Sequence, residues 1–105
     1  MASKLVRDYI PQLIFDSGKT PVTHDLASRK EHYVALLEKL KEETSEAYKA
    51  NDSYELMQEL SDVYEVISCL AKIVGCDIED VKNMANVKRI TRGSFTHGIM
   101  LDEVK

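Results

Sequence analysis

Apolar residues recur with a helical period along most of this chain, and the breaks between the periodic stretches carry helix-capping residues. Pro11 follows Ile10 where it starts or breaks a helix, so Gln12 to Asp16 reads as a short helix ended by Gly18. The segment from Lys19 to Leu26, with Pro21, Val22 and Thr23, reads as extended. Ser28 and Glu31 have the Ser-x-x-Glu spacing of a capping box and predict a second helix running to about Ala50. Asn51-Asp52-Ser53 then supplies a turn and an N-cap for a third helix, Tyr54 to Val74, which Gly75 ends in the left-handed conformation. Asp77 caps a fourth helix from Ile78 to about Arg92, stopped by Gly93. The tail with Ile99, Met100, Leu101 and Val104 reads as extended and able to pair with the segment around Val22. The short turn between the second and third helices makes them antiparallel neighbours. The expected fold is therefore all-α, an antiparallel helical bundle with short extended segments near both termini, in a single domain over residues 1–105.

Several acids break this pattern. At about 100° per residue, Leu36, Leu40 and Ala47 lie within roughly 40° of one another on the second helix. Glu43 falls on the same line and Glu46 at its border, although an amphipathic helix keeps its acids on the opposite face. The third helix repeats the anomaly. Its core stripe is Leu56, Leu60, Val63, Ile67, Leu70 and Val74, broadened by Val66 and Ile73, and Glu59 and Asp62 lie inside or beside that arc. Each helix thus offers an i,i+3 acid pair, and the antiparallel turn sets the two pairs facing one another. Like charges at this spacing repel, and desolvation beside a core adds to the cost, so the groups either protonate or recruit a cation. A hard, oxygen-seeking ion suits them: Mg²⁺, with Mn²⁺ as a substitute. A ferritin-like di-iron site needs Glu-x-x-His, and none of His24, His32 or His97 follows an acid by three. The competing reading is a solvated acidic face, as Glu31, Glu38, Glu42, Glu55 and Glu65 suggest elsewhere.

Basic residues extend the picture. Val81, Ala85, Lys88 and Arg92 share a face of the fourth helix, so Lys88 and Arg92 can hold phosphate oxygens at the edge of the core. Equally, Lys88, Arg89 and Arg92 can simply complement the helix C-terminal dipole. The formal net charge of -4 argues against nonspecific nucleic-acid binding, which needs a basic patch. No apolar run approaches the roughly 20 residues that span a bilayer, and the N-terminal residues lack a signal-peptide core, so a cytoplasmic protein without membrane association is expected. Cys69 and Cys76 have the wrong spacing for zinc and read as buried free thiols. Tyr48, Tyr64 and Phe95 can stack on a base, but core packing is the expectation for each.

These residues resemble a known family. Glu42-Glu43-Thr44-Ser45-Glu46 followed by Glu59-Leu60-Ser61-Asp62 resembles the EExxE…ExxD signature of the MazG-type all-α nucleoside triphosphate pyrophosphohydrolases. Lys4-Leu5-Val6-Arg7-Asp8-Tyr9-Ile10-Pro11 and Lys88-Arg89-Ile90-Thr91-Arg92-Gly93-Ser94-Phe95 are similar to a branch labelled phosphoribosyl-ATP pyrophosphohydrolase-like. The resemblance implies a Mg²⁺-dependent hydrolase that cuts nucleoside triphosphates to monophosphate and pyrophosphate, in a nucleotide-pool housecleaning role. It implies that Glu43, Glu46, Glu59 and Asp62 are metal ligands and that Glu42 positions or activates the attacking water. It further implies phosphate contacts from Lys88 and Arg92, a share in the nucleotide pocket for Lys4 and Arg7, and a homodimer or homotetramer whose site a neighbouring subunit completes. Two alternatives stay open: phosphoribosyl-ATP as the substrate, or a noncatalytic helical interaction module.

Overall fold

The computed structural model describes residues 3–105. Four helices follow one another, α1 (Ile10–Asp16), α2 (Arg29–Tyr48), α3 (Ser53–Ile73) and α4 (Ile78–Arg92), with no strand among the described residues. The all-α class expected from the periodicity is the one observed. Pro11 sits in the first turn of α1, where its missing N–H has no intrahelical partner to lose, so α1 begins at Ile10 and not at Gln12.

The capping residues act as their chemistry dictates, with one variation. Ser28 Oγ accepts from Glu31 N at 3.1 Å, while the Glu31 carboxylate reaches past the N-cap to the backbone N–H of Ala27, also at 3.1 Å. Asp52 and Glu55 repeat this at the start of α3: Asp52 accepts from Glu55 N, and Glu55 accepts from Asn51 N, both at 2.8 Å. In both cases the carboxylate caps the amide one residue earlier than a capping box requires. Only Asp77 and Asp80, at the start of α4, close the full reciprocal box. Gly75, at φ 85°, turns the chain out of α3 in the left-handed region that an L side chain resists.

α2 packs along α3, and α4 touches α3 alone. Arg29, the first residue of α2, donates through Nε (2.9 Å) and Nη2 to the carbonyl of Ile73, the last residue of α3. This bond ties opposite ends of the two helices together and places a cation at the negative end of the α3 dipole. The buried centre is small: Leu36 from α2, and Val66 and Ala71 from α3. Val63, Ile67, Leu70 and Ile73 surround it, half-buried. Leu56, Leu60 and Val74, expected in the core stripe, are exposed. The stripe is wider than α2 alone can cover, and α4 does not cover the rest. Exposure on α4 rises from Val81 at 39% to Ile90 at 84%, as expected of a helix that leaves the bundle after its first turns.

The result is an extended molecule. Its radius of gyration is 17.7 Å, against about 13 Å for a compact domain of this length. It exposes 9422 Å², where a compact monomer of this size exposes about 6,000 Å². The expected pairing of the tail with the Val22 segment is absent: Val22, Ile99, Met100, Leu101 and Val104 are all exposed. An isolated two-stranded pair is marginal without a face to bury. No helix among the described residues is long and apolar enough to cross a membrane.

Leu36 is the most deeply buried of the described residues, so Leu36→Ala should destabilise the protein by about 2–4 kcal/mol in urea denaturation.

Candidate functional site

Position on a helix decides which acids meet. Glu43 lies on the apolar line of α2 and is carried into the α2–α3 seam, where it is 8% exposed, the one buried charged residue among those described. Such burial requires partners. Lys39, one turn earlier, supplies one: its Nζ is 3.2 Å from Glu43 Oε1 and 3.4 Å from Glu42 Oε2. Burial works against the charge on Lys39, but the hydrogen bond to Glu43 and the charges of Glu42 and Glu43 outweigh it and hold the ammonium above the usual lysine range.

Across the seam α3 presents Glu59 and Asp62, both half-buried. One carboxylate oxygen from each of Glu43, Glu59 and Asp62 lies within 4.8 Å of the other two. The crowding registers on Glu59. Desolvation, together with Glu43 and the charges of Asp62 and Glu46, pushes its carboxyl above the ordinary range. Asp62 carries a cation of its own, since Arg7 Nη2 donates to Asp62 Oδ1 at 2.7 Å. The arrangement is a cluster of hard oxygen donors on two rigid helices with lysine and arginine at its margins, and its donor chemistry fits Mg²⁺ or Mn²⁺.

The sequence model of the MazG nucleotide pyrophosphohydrolase domain matches residues 31–95, well over half of the chain, covering α2 from Glu31 onward and all of α3 and α4. The chain belongs to the MazG nucleotide pyrophosphohydrolase family. Membership implies a hydrolase acting on phosphoanhydride bonds and matches the observed all-α fold. MazG enzymes typically depend on a divalent metal, and the acidic cluster agrees with that dependence. No curated protein and no solved structure matches the chain.

The remaining candidates are placed unequally in this MazG domain. Glu46 lies outside the converging trio; its side chain is 47% exposed and 3.7 Å from Lys49 Nζ, although its charge is felt at Glu59. Glu42 borders the cluster through their shared Lys39. Lys88 and Arg92 are exposed on α4, beside Met84, Val87 and Thr91, and neither pairs with an acid of the cluster among the described residues. Lys4 is exposed, and both it and Arg7 lie outside the matched range.

Two expectations are corrected. Tyr48 (94% exposed), Tyr64 (51%) and Phe95 (99%) are not core residues, because the bundle has no third layer to receive them. Cys76 is exposed just past the Gly75 turn, and only Cys69 is part-buried; both are free thiols. Burial and Glu65 push the Cys69 thiol up. Lys39 is the site residue that sequence reasoning missed. Its signal was local, an i,i+4 spacing to the acid that points inward.

Because the folded state binds a proton at Glu59 more tightly than the unfolded chain, ionised Glu59 opposes folding above its raised pKa. In EDTA at neutral pH, Glu59→Gln should therefore raise Tm. The gain should shrink as pH falls through the carboxylate range, where wild-type Glu59 also becomes neutral; thermal scans from pH 7.5 to 4 check this.

Proposed function

We propose that the protein is a Mg²⁺-dependent nucleoside triphosphate pyrophosphohydrolase, hydrolysing a nucleoside or deoxynucleoside triphosphate to the monophosphate and pyrophosphate. The observation that carries the reading is the convergence of Glu43, Glu59 and Asp62 oxygens within 4.8 Å, on the segments that bear the family signature. Glu46 joins these three as a ligand in this reading. Bound there, Mg²⁺ supplies the positive charge that lets a triphosphate approach three carboxylates, and it acidifies water for attack.

This chain's own residues perform the remaining tasks. Glu42, held at the rim by Lys39, orients the water that attacks the α-phosphorus. The bond from that phosphorus to the bridging oxygen breaks, and pyrophosphate leaves with its charge met by Lys88 and Arg92. Lys4 and Arg7 extend the basic rim toward the nucleotide. Lys39 holds the Glu43 carboxylate in place.

Lys88 and Arg92 lie on the exposed α4 arm, whose Met84, Val87 and Ile90 are uncovered. We propose that a second copy of the chain covers this face, giving a homodimer or homotetramer in which the basic arm meets an acidic cluster. The roughly 3,400 Å² per chain of surface beyond that of a compact monomer supports this assembly, since it exceeds the share that each partner of a stable homodimer buries.

Incubation with a panel of nucleoside triphosphates and phosphoribosyl-ATP, with Mg²⁺ or EDTA, tests the reaction. Monophosphate or phosphoribosyl-AMP plus pyrophosphate should appear only with Mg²⁺, and the ranking separates nucleotide housecleaning from the phosphoribosyl-ATP alternative. Glu59→Ala and Asp62→Ala should lose at least about 10³-fold in kcat while remaining folded by circular dichroism. Wild-type rates in either variant would sink the assignment, and absence of all turnover would favour the noncatalytic module. Light scattering should give a multiple of the chain mass, and Ile90→Glu should shift it toward the monomer.

A further inference from the structure

One ion pair among those described joins the N-terminal segment, whose Leu5 and Val6 are half-buried, to the helices. Arg7 and Asp62 are 55 residues apart, and Arg7 Nη2 donates to Asp62 Oδ1 at 2.7 Å. No other ion pair among the described residues links residues 3–9 to α2 or α3, and α1 contacts none of the other helices. The Arg7 side chain is 56% exposed, so it lies at the surface of the seam and can swing without disturbing the core.

The acid that Arg7 holds is also one of the three whose oxygens converge. A divalent cation in that cluster would draw on the same carboxylate charge and repel the guanidinium beyond it. A guanidinium displaced from a carboxylate has an alternative partner of the same geometry in phosphate, whose oxygens fit its fork of donors equally well. Asp62 is fixed on a long helix, whereas Arg7 precedes α1 in irregular chain. The movable partner of the pair is therefore Arg7.

We infer that Arg7 and the divalent cation compete for Asp62, so that metal binding frees Arg7, and the N-terminal segment with it, to take up the triphosphate of the substrate. The inference rests on the metal-centre reading above and extends it. Arg7 becomes an exchange residue that couples metal occupancy to substrate capture, and it lies outside the stretch that defines the family.

The test has opposite signs for its two ligands. Mn²⁺ binding followed by electron paramagnetic resonance should be roughly three- to tenfold tighter in Arg7→Gln than in wild type. Affinity for α,β-methylene-dATP at saturating Mn²⁺ should instead be roughly tenfold weaker. A residue that merely supported the fold would weaken both. Hydrogen exchange adds a structural readout: in wild type, saturating Mn²⁺ should speed amide exchange at residues 5–10, and in Arg7→Gln exchange there should already be fast and insensitive to Mn²⁺. Arg7→Lys keeps the charge but loses the fork, and should fall between the two in Mn²⁺ affinity; it carries the test if Arg7→Gln does not fold. Equal or weaker Mn²⁺ binding in a folded variant, while wild type binds the ion, overturns the exchange and leaves the metal centre standing. No Mn²⁺ binding by wild type overturns the metal centre, and the exchange with it.

Discussion

The structure depends on the seam between α2 and α3, where a carboxylate occupies a position that periodicity assigns to a hydrophobic residue. Glu43 shares the inward line of α2 with Leu36, and both are buried. The seam is thus the main apolar contact of the molecule and the place where its charges are concentrated. A purely apolar seam would hold the two helices more cheaply, because a buried ion pair rarely outperforms a hydrophobic isostere. A charged residue at a seam position that a hydrophobic residue could fill is the kind of placement that functional sites show.

Lys39 and Arg7 make that placement tolerable in different ways. Lys39 is part-buried, local to the helix and one turn from its partner, so its pairing with Glu43 forms as soon as α2 does. Arg7 is surface-lying and distant in sequence, so its pairing with Asp62 forms only when the chain has folded. The first cation is a fixed counter-ion. The second is exchangeable. Three carboxylates against two such cations leave a cluster that accepts more positive charge, which is the condition for handling a polyanionic substrate through a divalent ion.

The small core has a further consequence. Two packed helices and a diverging third cannot bury the apolar positions that the sequence carries, so Leu60, Met84, Val87 and Ile90 remain uncovered. Glu43, Glu59 and Asp62 converge within one chain, whereas Lys88 and Arg92 of α4 form no ion pair with them among the described residues. Lys88 and Arg92 share the exposed α4 arm with the uncovered Met84, Val87 and Ile90, so the proposed assembly would couple pairing of copies to the basic side of the proposed site.

The helices, their caps and the inward placement of Glu43 were legible in the sequence, because helix formation, capping and the 3.6-residue period are short-range properties. Asp52, Asp77 and Gly75 act where local chemistry puts them. The facing of Glu43 toward Glu59 and Asp62 followed from the helical period and the antiparallel turn. Other features needed the folded chain. Glu46 stands apart from the trio because a rotation of a few tens of degrees about a helix axis moves a side chain from seam to solvent. The exposure of Tyr64 and Phe95, the divergence of α4 and the unpaired tail follow from which surfaces find a partner, and periodicity is silent on that. The Arg7–Asp62 pair is the clearest case. By itself the sequence determined the elements and the chemistry each of them carries. The tertiary structure decided which charges meet, because an ion pair across 55 residues is set by packing and leaves no local pattern to read.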